Sequence, residues 1–176
     1  MTRSPVHIST RALATIAEHA VASADGLETG GILLGYEANE FGAPLVMEAG
    51  GPGPNAQRRC DFFRRDLAHA QTLADEAFTR SCSRWIGEWH THPHGALAPS
   101  RKDLRTYRRF LRDRELQFAT FLSLILGPEE DGWERLRMAA WLIELRRVLP
   151  ALLLPSAGHL ELTTERAEHD PEAEGA

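Results

Sequence analysis

His90 and His92 stand two residues apart in the run Arg84 to His92, which reads as a β-strand. Side chains alternate across a strand, so both imidazoles project from one face, as two ligands of a single metal ion must. Two surface histidines would show the same spacing; the residues downstream lift the signal. Ser100 and Asp103 complete the pattern His-x-His-x7-Ser-x-x-Asp. His, Ser and Asp each occur 8 times in the chain, and at that usage the pattern should arise by chance in about one such sequence per thousand. Taken alone, Ser100-x-x-Asp103 is a helix capping box. The two readings are compatible. An aspartate opening a helix that faces the two histidines completes a His2Asp set, with the fourth tetrahedral position left for water, as in catalytic zinc sites. Zinc held this way lowers the pKa of its water to about 7 and polarises a carbonyl.

Such a water needs a base to take its proton and pass it to the leaving nitrogen. Glu28, Glu48 and Glu88 are the candidates. Glu88, two before His90, shares its strand face and is placed to hold a ligand ring. Glu28 opens the buried run Thr29 to Leu34, where a carboxylate is costly without a partner or a function. Spacing alone leaves the choice open.

The elements that must position these residues can be read from periodicity and breakers. Ser9 or Thr10 caps a helix with Leu13, Ile16, Ala17, Ala20 and Val21 on one face, ending before Asp25-Gly26. Strands are expected over Glu28 to Tyr36 and Pro44 to Ala49, the first buried on both faces. Gly50-Gly-Pro-Gly-Pro54 then breaks the chain, and Arg64 to Phe78 carries a second helix. The histidine strand ends at Pro93, and Ser100 opens a third helix. Gln117 to Leu126 reads as a central strand, and Glu129 to Gly132 turns into a further strand through Trp141. The order αββαβαββ predicts an α/β fold with a mixed β-sheet flanked by helices. Arg101 and Arg105, in the Arg-rich third helix, are candidates for a substrate groove that steers an acidic protein, or members of a solvated face behind Leu104, Tyr107 and Leu111. Trp85, Trp89, Trp133 and Trp141 read as core residues of strands, with Trp89 a second groove candidate.

A chain of 176 residues, 43% of them hydrophobic, can bury about 70% of its unfolded surface as one compact domain. From residue 157 onward six acids face one base, a balance of −5 that equals the net charge of the whole chain. A neutral domain over residues 1–156 and an acidic, disordered tail over 157–176, with at most a short strand near Leu160, are therefore expected. Without a basic excess, nucleic acid is not the expected partner, and no apolar run is long enough for a membrane. Cys60 and Cys82 are too few for a disulfide framework, which fits a reducing, cytoplasmic setting.

Glu28-Thr-Gly-Gly-Ile-Leu-Leu-Gly35, Trp89-His-Thr-His-Pro93 and Ser100-x-x-Asp103 together resemble the JAMM (JAB/MPN-plus) metallopeptidases over most of the chain. The resemblance implies the JAB/MPN architecture, akin to the cytidine deaminases, with one Zn2+ per chain held by His90, His92 and Asp103. It makes Glu28 the general base and gives the developing oxyanion a hydrogen bond from Ser100. Gly51-Pro-Gly-Pro54, Phe63-Arg-Arg-Asp66 and Gly87-Glu-Trp-His-Thr-His-Pro93 further resemble the bacterial JAB branch of anti-phage and mobile-element operons, which also encode activating (E1-like) and conjugating (E2-like) proteins. The chain departs from that branch at Tyr107, where a Trp is expected, and at His94, where an acid or amide is usual. What the resemblance implies is a zinc isopeptidase, deubiquitinase-like, that frees the C-terminus of a ubiquitin-like modifier from a target lysine and trims modifier precursors. Its alternatives are processing of ubiquitin-fold sulfur carriers and a non-catalytic scaffold; the complete ligand set speaks against the scaffold. A nucleoside deaminase would need a Pro-Cys-x-x-Cys pair, which the chain lacks.

Overall fold

A computed structural model describes residues 5–37, 42–129, 132–149, 152–160 and 162–165. Strand β1 (Val6–Ser9) leads directly into helix α1 (Thr10–Ala22), because the Ser9 hydroxyl accepts the Ala12 N–H at 3.0 Å and donates to the Met47 carbonyl. Helix α1 buries Ala12, Ile16 and Ala20, whose spacing makes one apolar stripe. That stripe packs on Val6, Ile8, Leu33, Val46, Trp89 and Leu124 of the sheet.

Strands β2 (Gly30–Tyr36), β3 (Leu45–Ala49), β6 (Arg84–Thr91), β7 (Phe121–Glu129), β8 (Gly132–Leu149), β9 (Leu152–Leu160) and β10 (Leu162–Glu165) join β1 in an eight-stranded mixed sheet. Its order is β10-β1-β3-β2-β6-β7-β8-β9, with β6 parallel to β7 and antiparallel to β2. Helices α2 (Leu67–Ser81) and α3 (Arg101–Arg112) cover the face opposite α1. Every predicted helix and strand is present, and the α/β expectation holds.

Four features lie beyond the sequence reading. Strand β1 is only four residues long. A hairpin, β4 (Gln57–Arg59) and β5 (Phe62–Arg64), occupies the start expected for the second helix, which begins at Leu67 because the Asp66 carboxylate accepts the Ala68 and His69 N–H groups. Strand β7 begins at Phe121 rather than Gln117, whose φ of 54° belongs to a turn. Main-chain pairing carries the sheet past residue 156, where composition set the end of the domain: β9 pairs with β8, and β10 with β1 from Val6↔Leu162 to Ser9↔Glu165. Residues 166–176 of the expected tail lie outside the described residues.

One irregularity positions the site. The β2–β6 register shifts so that Leu33 faces Gly87 and Leu34 faces Trp85, which leaves Ile86 as an extra residue. Such a bulge re-aims the side chains around it. It turns Trp85 to the face of Glu88 and His90, whereas strict alternation would have grouped it with Trp89.

Candidate metal centre

His90 lies at the end of β6 and His92 just beyond it, where the His92 N–H donates to the Leu126 carbonyl at 2.7 Å. The His90 and His92 Nε2 atoms are 2.9 Å apart, and Asp103 Oδ2 lies 3.7 and 3.6 Å from them. Four-coordinate zinc with bonds near 2.0–2.2 Å spaces its ligand atoms by about 3.3 Å, so these three donors fit one ion. The His92 Nδ1 is 2.8 Å from the Ala96 carbonyl. Donation there fixes the tautomer and frees Nε2 as a ligand. The His90 Nδ1 is buried with no partner among the described residues.

Helix α3 delivers the aspartate. The Ser100 N–H donates to Asp103 Oδ2 at 2.7 Å, and the Ser100 hydroxyl accepts the Asp103 N–H at 3.2 Å, a complete capping box. The box therefore aims at the histidines the same oxygen that it satisfies. Burial alone would push the Asp103 carboxyl up; the His90 and His92 imidazoles and Ser100 outweigh it and hold the group far below the usual carboxylate range. Burial lowers the His92 ring, and Asp103 with the Ala96 carbonyl more than reverses this, leaving its pKa raised.

Glu28 sits two residues before the start of β2, half-buried, and lines two recesses that meet at the cluster. Its pKa is raised by burial, which His90 and His92 only partly oppose. A Cβ at position 30 would run into the Trp89 carbonyl and come within 2.9 Å of the His90 Cβ and the Phe63 ring. Glycine there lets the Glu28 end of β2 lie against the histidine strand. One recess, of about 420 Å³, runs from His90 and Asp103 between Phe63, Trp85, Phe110 and Leu116. The other, of about 500 Å³, opens beside His92, His94 and Cys60; Glu28, Asp61 and Ser100 border both.

The remaining candidates fall elsewhere. Glu48 is bound on both oxygens by Arg80, at 2.5 and 2.7 Å, away from the cluster. Glu88 does not hold the His90 ring; it pairs with Arg65 at 2.6 Å, both side chains largely buried. Arg65 in turn stacks 4.8 Å over Trp85. Trp89 is fully buried on the α1 side, with its indole N–H on the Gly50 carbonyl, so Trp85 and not Trp89 borders the groove. Arg101 and Arg105 do not line it either. The groove cations are Arg64, Arg65, Lys102 and Arg109, and Arg105 belongs to a separate recess with Arg108 and Arg112. Tyr107, at the position that departs from the expected Trp, is fully buried with its hydroxyl 2.9 Å from Ser123. Sequence reading gives Phe63 and Arg65 a place in the Phe63-Arg-Arg-Asp66 resemblance but no role in a groove, and the bulge that turns Trp85 leaves no local signal.

The chain is 34% identical over 109 residues to the CD-NTase/cGAS isopeptidase of Vibrio cholerae, a match over 60% of this chain and 65% of that protein, just short of two thirds of its length. It is 30% identical over 124 residues to a probable metalloprotease of Sinorhizobium fredii, covering 69% of this chain and 73% of that one. The solution structure of protein DSY2949 from Desulfitobacterium hafniense has a similar fold, with a TM-score of 0.62 over 92% of this chain and 93% of that chain at 17% identity. The family model described as prokaryotic homologs of the JAB domain matches residues 9–142. With well over half of its length matched and the fold in agreement, the chain belongs to this prokaryotic JAB-domain family.

Proposed function

We propose that the chain is a zinc-dependent isopeptidase that hydrolyses the amide between the C-terminus of one protein and a lysine of another. The observation that carries this reading is the convergence of His90, His92 and Asp103 beside Glu28 where two recesses meet. Two recesses suit a branched substrate, which brings an acyl segment and a lysine to one point. His90, His92 and Asp103 would hold one Zn2+, which when bound supplies Lewis acidity to the scissile carbonyl and acidifies a water. Glu28, half-buried beside the cluster, takes the proton from that water and delivers it to the leaving lysine nitrogen. Ser100 donates a hydrogen bond from its hydroxyl to the carbonyl oxygen as charge develops there. An extended acyl segment enters along the groove between Phe63 and Phe110. By likeness to the Vibrio cholerae relative, the conjugate contains a CD-NTase or cGAS-like protein. The ubiquitin-like conjugation machinery, the anti-phage setting and the cytoplasmic location belong to the same proposal.

The test is a lysine-linked conjugate of such a protein, incubated with the purified chain and followed by mass spectrometry. Release of the intact C-terminus is expected, with about one zinc per chain, loss on chelation and recovery on zinc addition. Glu28→Gln should keep its zinc and lose about 100- to 10,000-fold in rate. Cleavage that persists after the metal is stripped, or no cleavage by the zinc-loaded chain, overturns the proposal.

A further inference from the structure

Residues 23–28, which lead into β2, contain a positive-φ Gly26 and form neither helix nor strand. Their position is set by hydrogen bonds, and most of these come from one side chain on the β4–β5 hairpin. The Arg58 Nε donates to the Glu28 carbonyl at 3.2 Å, and its two terminal nitrogens donate to the Asp25 carboxylate at 3.0 and 2.8 Å. The nitrogen nearer the loop also reaches the Ser23 and Leu27 carbonyls at 3.3 and 3.4 Å. The Glu28 N–H donates to the Arg59 carbonyl at 2.8 Å. Both main-chain polar groups of Glu28 thus end on the hairpin. The next residue is held from the other side, where the Thr29 N–H donates to the Thr91 hydroxyl at 2.9 Å on the histidine strand.

We propose that Arg58 is a positioning residue: its guanidinium locks residues 23–28 to the β4–β5 hairpin and so keeps the Glu28 carboxylate over the His90, His92 and Asp103 cluster. This rests on the reading of Glu28 as the base. The hairpin that carries Arg58 also presents Phe62 and Phe63 to the groove, so the wall that meets substrate and the segment that holds the base move as one piece. A lysine replaces the planar fork only in part, because a single ammonium cannot span acceptors spread from Ser23 to Glu28.

The test compares Arg58→Ala, Arg58→Lys and Asp25→Asn in the full chain by kinetics on the conjugate, zinc content and amide hydrogen exchange. Loss of alignment by about 1 Å costs roughly 100-fold, so Arg58→Ala should lose about 10- to 100-fold in kcat with KM within about twofold. Arg58→Lys and Asp25→Asn should lose less, and all three should keep their zinc. The Leu27 and Glu28 amides should exchange faster in Arg58→Ala while the Thr29 amide stays protected. A local change of this kind is not what general destabilisation produces. Unchanged kcat, a loss carried by KM instead, or undiminished protection of the Glu28 amide overturns the proposal. If the parent chain cleaves no conjugate, the isopeptidase reading falls, and the exchange measurement alone decides whether Arg58 holds the segment.

Discussion

Ser100→Ala removes one oxygen and separates two roles that meet at this residue. The hydroxyl accepts the Asp103 N–H at 3.2 Å as the cap of α3, and losing such a cap costs about 1 kcal/mol. For a chain of this length that is a fall of roughly 2–4 °C in melting temperature. As a donor to the developing oxyanion the same hydroxyl should be worth about 100- to 1,000-fold in kcat, with KM little changed. Zinc should be retained, because the Ser100 N–H that donates to Asp103 Oδ2 at 2.7 Å belongs to the main chain and survives in alanine. Ser100→Pro deletes that N–H as well, and φ at this position is −69°, which proline accepts. The difference between the two variants therefore isolates the N–H, and the proline variant should bind zinc about 10- to 100-fold more weakly than the alanine variant. Steady-state kinetics on a lysine-linked conjugate, thermal melts and zinc titration against a competing chelator give the three readouts. Normal kcat in Ser100→Ala beside a lowered melting temperature would leave Ser100 as a helix cap only. Equal zinc affinity in the two variants would refute the orienting role of the N–H.

The main core packs α1 on the sheet without any metal ligand, so chelation should leave the far-UV circular dichroism nearly unchanged; unfolding on chelation would make the site structural. Arg65→Ala strands Glu88 beneath the groove, and breaking a buried pair costs about 3–5 kcal/mol, a fall of roughly 6–20 °C in melting temperature. Adding Glu88→Gln should recover part of that loss, and a double variant no more stable than the single one would show that the ion pair is not its source. Asp66 is held below its ordinary pKa of 3.8 by the His69 N–H, with Asn55 and the Ala68 N–H adding to it. A depressed folded pKa means that its contribution to stability is present above about pH 3.8 and is lost as pH falls through the folded value. Asp66→Ala should flatten the acid limb of the stability curve, and an unchanged slope in melts below that pH would refute the assignment.

The cluster of His90, His92 and Asp103 with Ser100 beside it was legible because strand alternation and a capping box are local: these residues need only two elements whose periods are read within a few residues. Apart from the motif resemblance, Glu28 was legible only as a costly carboxylate, since what brings it to the cluster is the pairing of Gly30 with His90 across 60 positions. Beyond the short strand allowed near Leu160, the length of β9 and all of β10 escaped the compositional reading because ladders are built from main chain, which composition does not forbid. Trp85 escaped because a bulge inverts alternation and has no fixed sequence signature.

Arg101 and Arg105, read either as groove residues or as part of a solvated face, lie off the groove, and the information that places them there was in the sequence. Once Asp103 is assigned to the metal face of α3, its neighbours at i+3 and i+7 share that face, which selects Thr106 and Phe110. Residues two positions away lie about 200° around the helix, which removes both Arg101 and Arg105. The groove lining agrees: Asp103, Thr106 and Phe110 border it, with Arg109 beside them. Arg105 and Arg112 border only the other recess, which Arg109 also touches. A count of charges on an Arg-rich helix could not decide which arginine borders the groove, whereas the phase set by Asp103 could. The same logic makes Arg109→Ala, and not Arg105→Ala, the arginine variant on α3 that should raise KM for the conjugate.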